Sequence, residues 1–275
     1  MIGTEDELAA MLDRAATSGT AIPAPSSEGT ELPLEAAYHV QHKVVGLRLA
    51  RGERAVGVKL GFTSEAKMAQ MGVSEIIAGR LTDAMWFGDG ERAGLGGFIH
   101  PRIEPEVAFR LGEDVDLGGA RSGGADIGDA VDAVAAAMEI IDSRYSGFRF
   151  GLSDVVADNT SAAGFVLGPW RSPDTATGDR AVSLSVDGTV TATGSTAAIL
   201  GNPLNALRAL VPLAAKRGLV LPAGSIVLAG AATAATPLTA SVVTTRIEGL
   251  GEVSIVAAGD SAGDRTGDRA GGGYD

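Results

Sequence analysis

Ile103-Glu104-Pro105-Glu106-Val107 sets two carboxylates two residues apart inside an apolar run, and residues 103–110 read as a strand. Alternate side chains of a strand share a face, so Glu104 and Glu106 project together. Like charges this close repel unless a cation lies between them or one is protonated. Working outward, Ala137-Met138-Glu139-Ile140-Ile141 gives a second apolar strand with a carboxylate at its centre. Three carboxylates, no cysteine and only His39, His42 and His100 as histidines favour a hard cation, Mg²⁺ or Mn²⁺, over zinc. Spacing alone leaves a plainer alternative, in which Glu104 and Glu106 line a solvated strand face and Glu139 pairs with an arginine.

Two further segments carry candidate chemistry. In Gly57-Val58-Lys59-Leu60-Gly61 the alternation puts Lys59 opposite the apolar face. A lysine near a divalent cation could hold or protonate an enolate oxygen, and an edge-strand lysine that discourages aggregation has the same pattern. Asp154-Val155-Val156-Ala157-Asp158-Asn159-Thr160-Ser161 is a polar cluster after an apolar run. It suits hydrogen bonding to a polar ligand, or a turn built on Asx chemistry. The run Gly118–Gly124 fits neither a phosphate-binding loop nor a dinucleotide fingerprint and reads as a surface loop.

Around these segments the 275 residues divide by texture. Residues 1–54 read as a small helical portion. Thr4 and Glu7 form a capping-box pattern before the stripe Leu8, Met11 and Leu12; Pro33 opens a second helix through Val40, Val44 and Leu47. Residues 55–257 are strand-rich, with a short helix predicted from Ser64 to Met71. Val182 to Ala192 forms a hairpin turning at Asp187-Gly188, and a helix opens at Asn202-Pro203, kinked or ended by Pro212. Residues 258–275 are Gly, Asp and Arg with little that is apolar, and read as a disordered tail. A net charge of -12 disfavours nucleic acid and anionic membranes as partners. With no cysteine and no signal-type start, a reducing cytoplasm is the expected compartment.

These blocks, with Ala66 to Val73, Glu139-Ile140-Ile141-Asp142-Ser143-Arg144-Tyr145, Gly201-Asn202-Pro203 and Ala223-Gly224-Ser225, stand in an order that resembles the hydratase/decarboxylase branch of the fumarylacetoacetate hydrolase superfamily across roughly residues 30–257. The resemblance implies a mixed α/β (α+β) fold, a strand-rich rolled sheet with its metal pocket at the open end. It implies Mg²⁺ (or Mn²⁺) at Glu104, Glu106 and Glu139, catalytic roles for Lys59 and Ser161, and substrate contacts from Thr63, Asp158, Asn159 and Thr233. The implied substrate is a small 2-oxo acid that chelates the cation. Its implied fate is loss of the distal carboxylate of 2-oxo-3-hexenedioate in the meta-cleavage degradation of aromatic compounds. Hydration of 2-hydroxypenta-2,4-dienoate is the alternative, and a non-catalytic partner subunit a third reading. Ala66 to Val73, Ile140 to Tyr145 and Gly230 to Ala235 stand nearer the decarboxylase pattern, as does Ile77, where hydratases usually carry an aspartate. Thr239-Ala240-Ser241 departs from both patterns, where a Pro-Gly-Asp turn is usual. Homo-oligomers, and association of decarboxylase with hydratase, complete what the resemblance implies.

Overall fold

Helix α1 (Glu5–Ser18) begins at Thr4, whose hydroxyl accepts the Glu7 amide while the Glu7 carboxylate accepts the Thr4 amide. It ends at Gly19 in the left-handed region, at φ 62°. Helix α2 (Leu34–Ala50) follows, and Leu8, Ala9, Leu12, Ala37, Val40 and Val44 join Tyr145, Val155 and Val156 in one apolar cluster. Of the stripes read from sequence, Met11 and Leu47 turn outward and stay 39% and 37% exposed. The covering surface is narrower than the apolar arc of either helix.

The computed structural model describes residues 4–64, 68–69, 75–116 and 126–259. The expected helix from Ser64 to Met71 and the Gly118–Gly124 loop fall largely outside these residues, as does the expected tail beyond 259. The strands are β1 (Ala55–Gly61), β2 (Ile77–Thr82), β3 (Trp86–Phe87), β4 (Arg92–Gly94), β5 (Arg102–Leu111), β6 (Val115–Asp116), β7 (Val131–Ile141) and β8 (Ala162–Leu167). After these come β9 (Ala181–Val186), β10 (Thr189–Ser195), β11 (Val220–Leu221), β12 (Ile226–Ala231), β13 (Thr236–Pro237), β14 (Ser241–Ile247) and β15 (Gly251–Ala258). The larger sheet runs β2-β1-β12-β5-β7-β8-β3, with β13 also on β5; the second runs β10-β9-β14-β15-β4. This mixed α/β, strand-rich architecture is the one expected.

One face of the larger sheet is the main core. Val58, Leu60, Ile103, Val107, Phe109, Met138 and Ile140 meet Val182, Leu184, Val243, Val253 and Ile255 of the second sheet. Helix α3 (Leu152–Ala157) lies between β7 and β8 in the chain, and helix α4 (Pro203–Arg217) between β10 and β11. The stretch Thr196–Arg217 is long and apolar enough to cross a membrane by length and composition, yet Ala206, Leu207, Leu210 and Ala214 of α4 are buried in this core. The helix does not end at Pro212; it continues to Gly218 in the left-handed region. The β9–β10 hairpin turns at Asp187 and Gly188, both at positive φ (48° and 78°), as its sequence requires.

The other face carries the site. β5 is a central strand with side chains buried on both faces, Glu104 and Glu106 among them, so the solvated-face alternative for these two does not hold. Nor is β1 an edge, since it pairs with β2 on one side and β12 on the other. Leu12→Ala should cost about 2–5 kcal/mol in urea unfolding and Met11→Ala within about 0.5 kcal/mol, one side chain lying in the cluster and the other outside it.

Candidate metal centre

Register assembles the acids. β5 pairs antiparallel with β7 so that Glu104 faces Glu139 directly, and Glu106 follows two residues along the same face. Carboxylate oxygens of the three lie within 4.8 Å of one another. Glu106 and Glu139 have no exposed surface, and Glu104 has 5%. β12 explains how Pro105 fits inside a central strand. Between Leu228 and Ala231 it bulges, so proline's missing N–H falls where regular pairing has already lapsed. The bulge also re-aims the Gly230 amide, which donates to Glu106 Oε2 at 2.7 Å. Gly230 sits at φ 108°, and a Cβ there would lie 1.9 Å from Thr63 Oγ1, so glycine is required.

Lys59 reaches the acids from β1. Its Nζ lies 2.9 Å from Glu139 Oε2 and donates to the Thr160 carbonyl at 3.1 Å. Gly79 stands beside it on β2, where a Cβ would meet the Asn159 carbonyl at 2.5 Å and Lys59 Cδ at 3.0 Å. Burial alone would pull the Lys59 ammonium down, but Glu139, Glu106 and Glu104 together hold it above its ordinary value. Burial, then the charge of Glu139, pushes the Glu106 carboxyl well up against the opposing pull of Lys59. Burial likewise raises Glu139, to about 7, although Lys59 opposes it. Oε1 of Glu106 and Oε1 of Glu139 are buried without a donor among the described residues. Unbonded buried carboxylate oxygens are costly, and an all-oxygen set around one point is the donor chemistry of Mg²⁺ or Mn²⁺. The residues fit such a cation.

The wall behind Lys59 is made of backbone that L-residues rarely adopt. Asn159, Thr160 and Ser161 all lie in the left-handed region, at φ 49°, 55° and 57°. Their neighbours hold them there. The Asn159 side chain accepts the Arg80 amide (2.7 Å) and donates to the Arg80 carbonyl (2.9 Å). Asp158 accepts the Arg144 amide at 2.9 Å and pairs with its guanidinium, which also donates to the Asp158 carbonyl. Burial still pushes the Asp158 carboxyl up to about 6. The run aims the Thr160 carbonyl at Lys59 and leaves Thr160 Oγ1 and Ser161 Oγ buried without partners among the described residues.

A cleft of about 330 Å³ opens over this floor. Lys59, Glu104, Thr63, Thr160, Ser161 and Arg102 give it polar groups; Phe62, Ile77, Phe148, Phe150, Val155 and Ala231 are among its apolar walls. A larger groove of about 460 Å³ near Asp126 and Asp129 has no such convergence, and its Asp126 is already paired with Arg208.

Lys59, Thr63, Glu104 and Ser161 therefore line the cleft as expected, with Glu106 and Glu139 sealed beneath it. Asp158 and Asn159 do not line it; their side chains are spent on Arg144 and Arg80. Thr233 does not line it either: its hydroxyl donates to the Ala234 carbonyl and its methyl faces Gly194, while Ala231, Ala234 and Ala235 form the wall. Thr239 and Ala240 are exposed and lie outside the cleft lining. Arg102 lies outside the candidate segments of the sequence, whereas Thr160 and Gly230 fall within them but act here through the Thr160 carbonyl and the Gly230 amide. The period-2 rule that groups Glu104 with Glu106 also places Arg102 on their face.

No profile of a known protein family matches the chain. A Pseudomonas protein named 4-oxalocrotonate decarboxylase is 45% identical over 254 residues, 92% of this chain and 98% of that protein. The chain belongs to the hydratase/decarboxylase branch of the fumarylacetoacetate hydrolase superfamily. A second member of the branch, the 2-keto-4-pentenoate hydratase of Burkholderia vietnamiensis, is 41% identical over 197 residues, covering 71% of this chain and 74% of that one. The solved 4-oxalocrotonate decarboxylase from Pseudomonas putida G7, complexed with magnesium and adipate, superposes with a TM-score of 0.86 at 35% identity over 92% of this chain and 97% of that one.

Cation and protons compete for the same raised carboxyls. Mg²⁺ affinity should therefore fall as pH drops from about 8 to 6, and binding should release protons. Calorimetry in two buffers of different ionisation enthalpy measures both.

Proposed function

We propose that this chain is a metal-dependent decarboxylase of 2-oxo-3-hexenedioate (4-oxalocrotonate), releasing carbon dioxide and 2-hydroxypenta-2,4-dienoate. The observation that carries the reading is the cluster of three buried carboxylates within 4.8 Å, with undonated oxygens, beside a buried lysine at the floor of an apolar cleft.

Glu104, Glu106 and Glu139 would hold the cation, which when bound supplies Lewis-acid polarisation of the substrate's 2-oxo acid end. The remaining work falls to the chain. As the bond from C5 to the distal carboxylate breaks, its electrons move through the conjugated double bond towards the 2-oxo oxygen. Lys59, charged and fixed between Glu139 and the Thr160 carbonyl, faces that developing charge and can give the oxygen the proton that makes the enol product. Ser161 and Thr160 offer hydroxyls with unspent hydrogen-bonding capacity. Phe62, Ile77 and Phe150 exclude water from the stretch of cleft between floor and mouth, where the conjugated chain would lie.

Ile77 favours decarboxylation over hydration. It brings hydrocarbon to the wall where an acid would have to direct water, and it is 3% exposed. The intact Lys59 and glutamates weigh against a non-catalytic subunit. The product is one that hydratases of the same branch would take up, so a homo-oligomer working beside such a hydratase belongs to this reading; mass photometry of the two proteins together tests it.

Incubation with Mg²⁺ should release carbon dioxide from 2-oxo-3-hexenedioate, and hydration of 2-hydroxypenta-2,4-dienoate should be negligible. The reverse result makes the protein a hydratase. Lys59→Met should lower kcat on the order of 10²–10⁴-fold without weakening Mg²⁺ binding. Glu106→Gln should lose Mg²⁺ binding and turnover together.

A further inference from the structure

Along the site face of β5, burial falls in steps. Glu106 has no exposed surface, Glu104 has 5%, and Arg102 is open to solvent at the mouth of the cleft. Same-face residues of a strand stand about 6.7 Å apart, so one strand spans the slot from floor to mouth. Its two ends differ in charge: acids with room for a cation below, a guanidinium above.

Arg102 is held in place by its surroundings. Its backbone is in register with Ile141 of β7 on one side and Pro237 of β13 on the other. Among the described residues its charged group meets an aromatic face: Cζ lies 4.5 Å from the centroid of the Phe148 ring. That ring is flanked by His100 at 5.2 Å and Phe150 at 5.6 Å. A cation over a ring keeps its N–H edges available, because the ring takes the flat face of the guanidinium. Those edges are the geometry that receives a carboxylate.

We propose that Arg102 is a specificity-determining residue, holding at the mouth the second carboxylate of a six-carbon dicarboxylic acid whose 2-oxo acid end lies at the floor. The assignment rests on the floor being a metal site. The length agrees: bonds of about 1.5 Å in an extended six-carbon chain put its terminal carboxyl carbons about 6 Å apart, close to one same-face step of the strand. A monocarboxylic acid of similar length would leave the guanidinium unmatched, and an unfilled polar contact discriminates more strongly than a missing methylene.

The test is calorimetric titration of the full chain with adipate and with hexanoate, in Mg²⁺, for wild type, Arg102→Gln and Arg102→Lys. Adipate affinity should fall about 10- to 100-fold in Arg102→Gln, the loss expected for one charge-assisted contact, and Arg102→Lys should recover part of it. Hexanoate and Mg²⁺ affinities should stay within about twofold across the three proteins, which also verifies that the variants fold. Unchanged adipate affinity in Arg102→Gln overturns the assignment, as does an equal loss for hexanoate, which would put Arg102 at the floor end. Wild type that binds Mg²⁺ but not adipate also overturns it and leaves the metal site standing. Wild type that fails to bind Mg²⁺ overturns the floor instead, and the adipate-to-hexanoate ratio in wild type and Arg102→Gln still decides the mouth.

Discussion

The constraint everything else answers to is electrostatic. Glu104, Glu106 and Glu139 are removed from water with carboxylate oxygens within 4.8 Å of one another, and one lysine stands against three acids. Left uncompensated, such a cluster costs stability, because burial and mutual repulsion both oppose the charged forms. The raised carboxyls of Glu106 and Glu139 express that cost. A divalent cation held among the three would relieve both terms at once.

Irregular backbone concentrates where it serves this cluster. The β12 bulge gives up regular pairing beside Pro105 and spends the freed Gly230 amide on Glu106. The left-handed run from Asn159 to Ser161 is unfavourable residue by residue, and side-chain contacts from Asn159 and Arg144 hold it. In exchange the Thr160 carbonyl fixes the direction of Lys59. Regular strands alone would bring the acids together; they would not orient the lysine.

Much of this was legible in the sequence, and the gaps have physical causes. Period-2 spacing showed that Glu104 and Glu106 share a face, because alternation is local. It could not show that the face is buried, since that depends on groups remote in sequence, such as Lys59 and the Gly230 amide, that meet the acids there. The segment from Asp154 to Ser161 announced polarity correctly. Whether its side chains meet ligand or scaffold was decided by Arg80 and Arg144, one of them distant in sequence. Thr233 illustrates the same limit: the alanines around it reach the cleft, while the bend of the chain turns the threonine itself towards Gly194. Met11 and Leu47 show that an apolar stripe on a helix indicates a direction, and the neighbouring surface sets how much of it is used.

The order of strands in the larger sheet bears on how the protein matures. All three acids lie before residue 142, yet β12, the strand seated between the lysine's β1 and the acids' β5, comes only at Ile226–Ala231. A nascent chain therefore exposes its acidic hairpin long before the element that docks the lysine leaves the ribosome. Closing pairings this remote in sequence is entropically slow. Juxtaposition of lysine and acids is thus a late event in biogenesis, completed when β12 takes its place between β1 and β5.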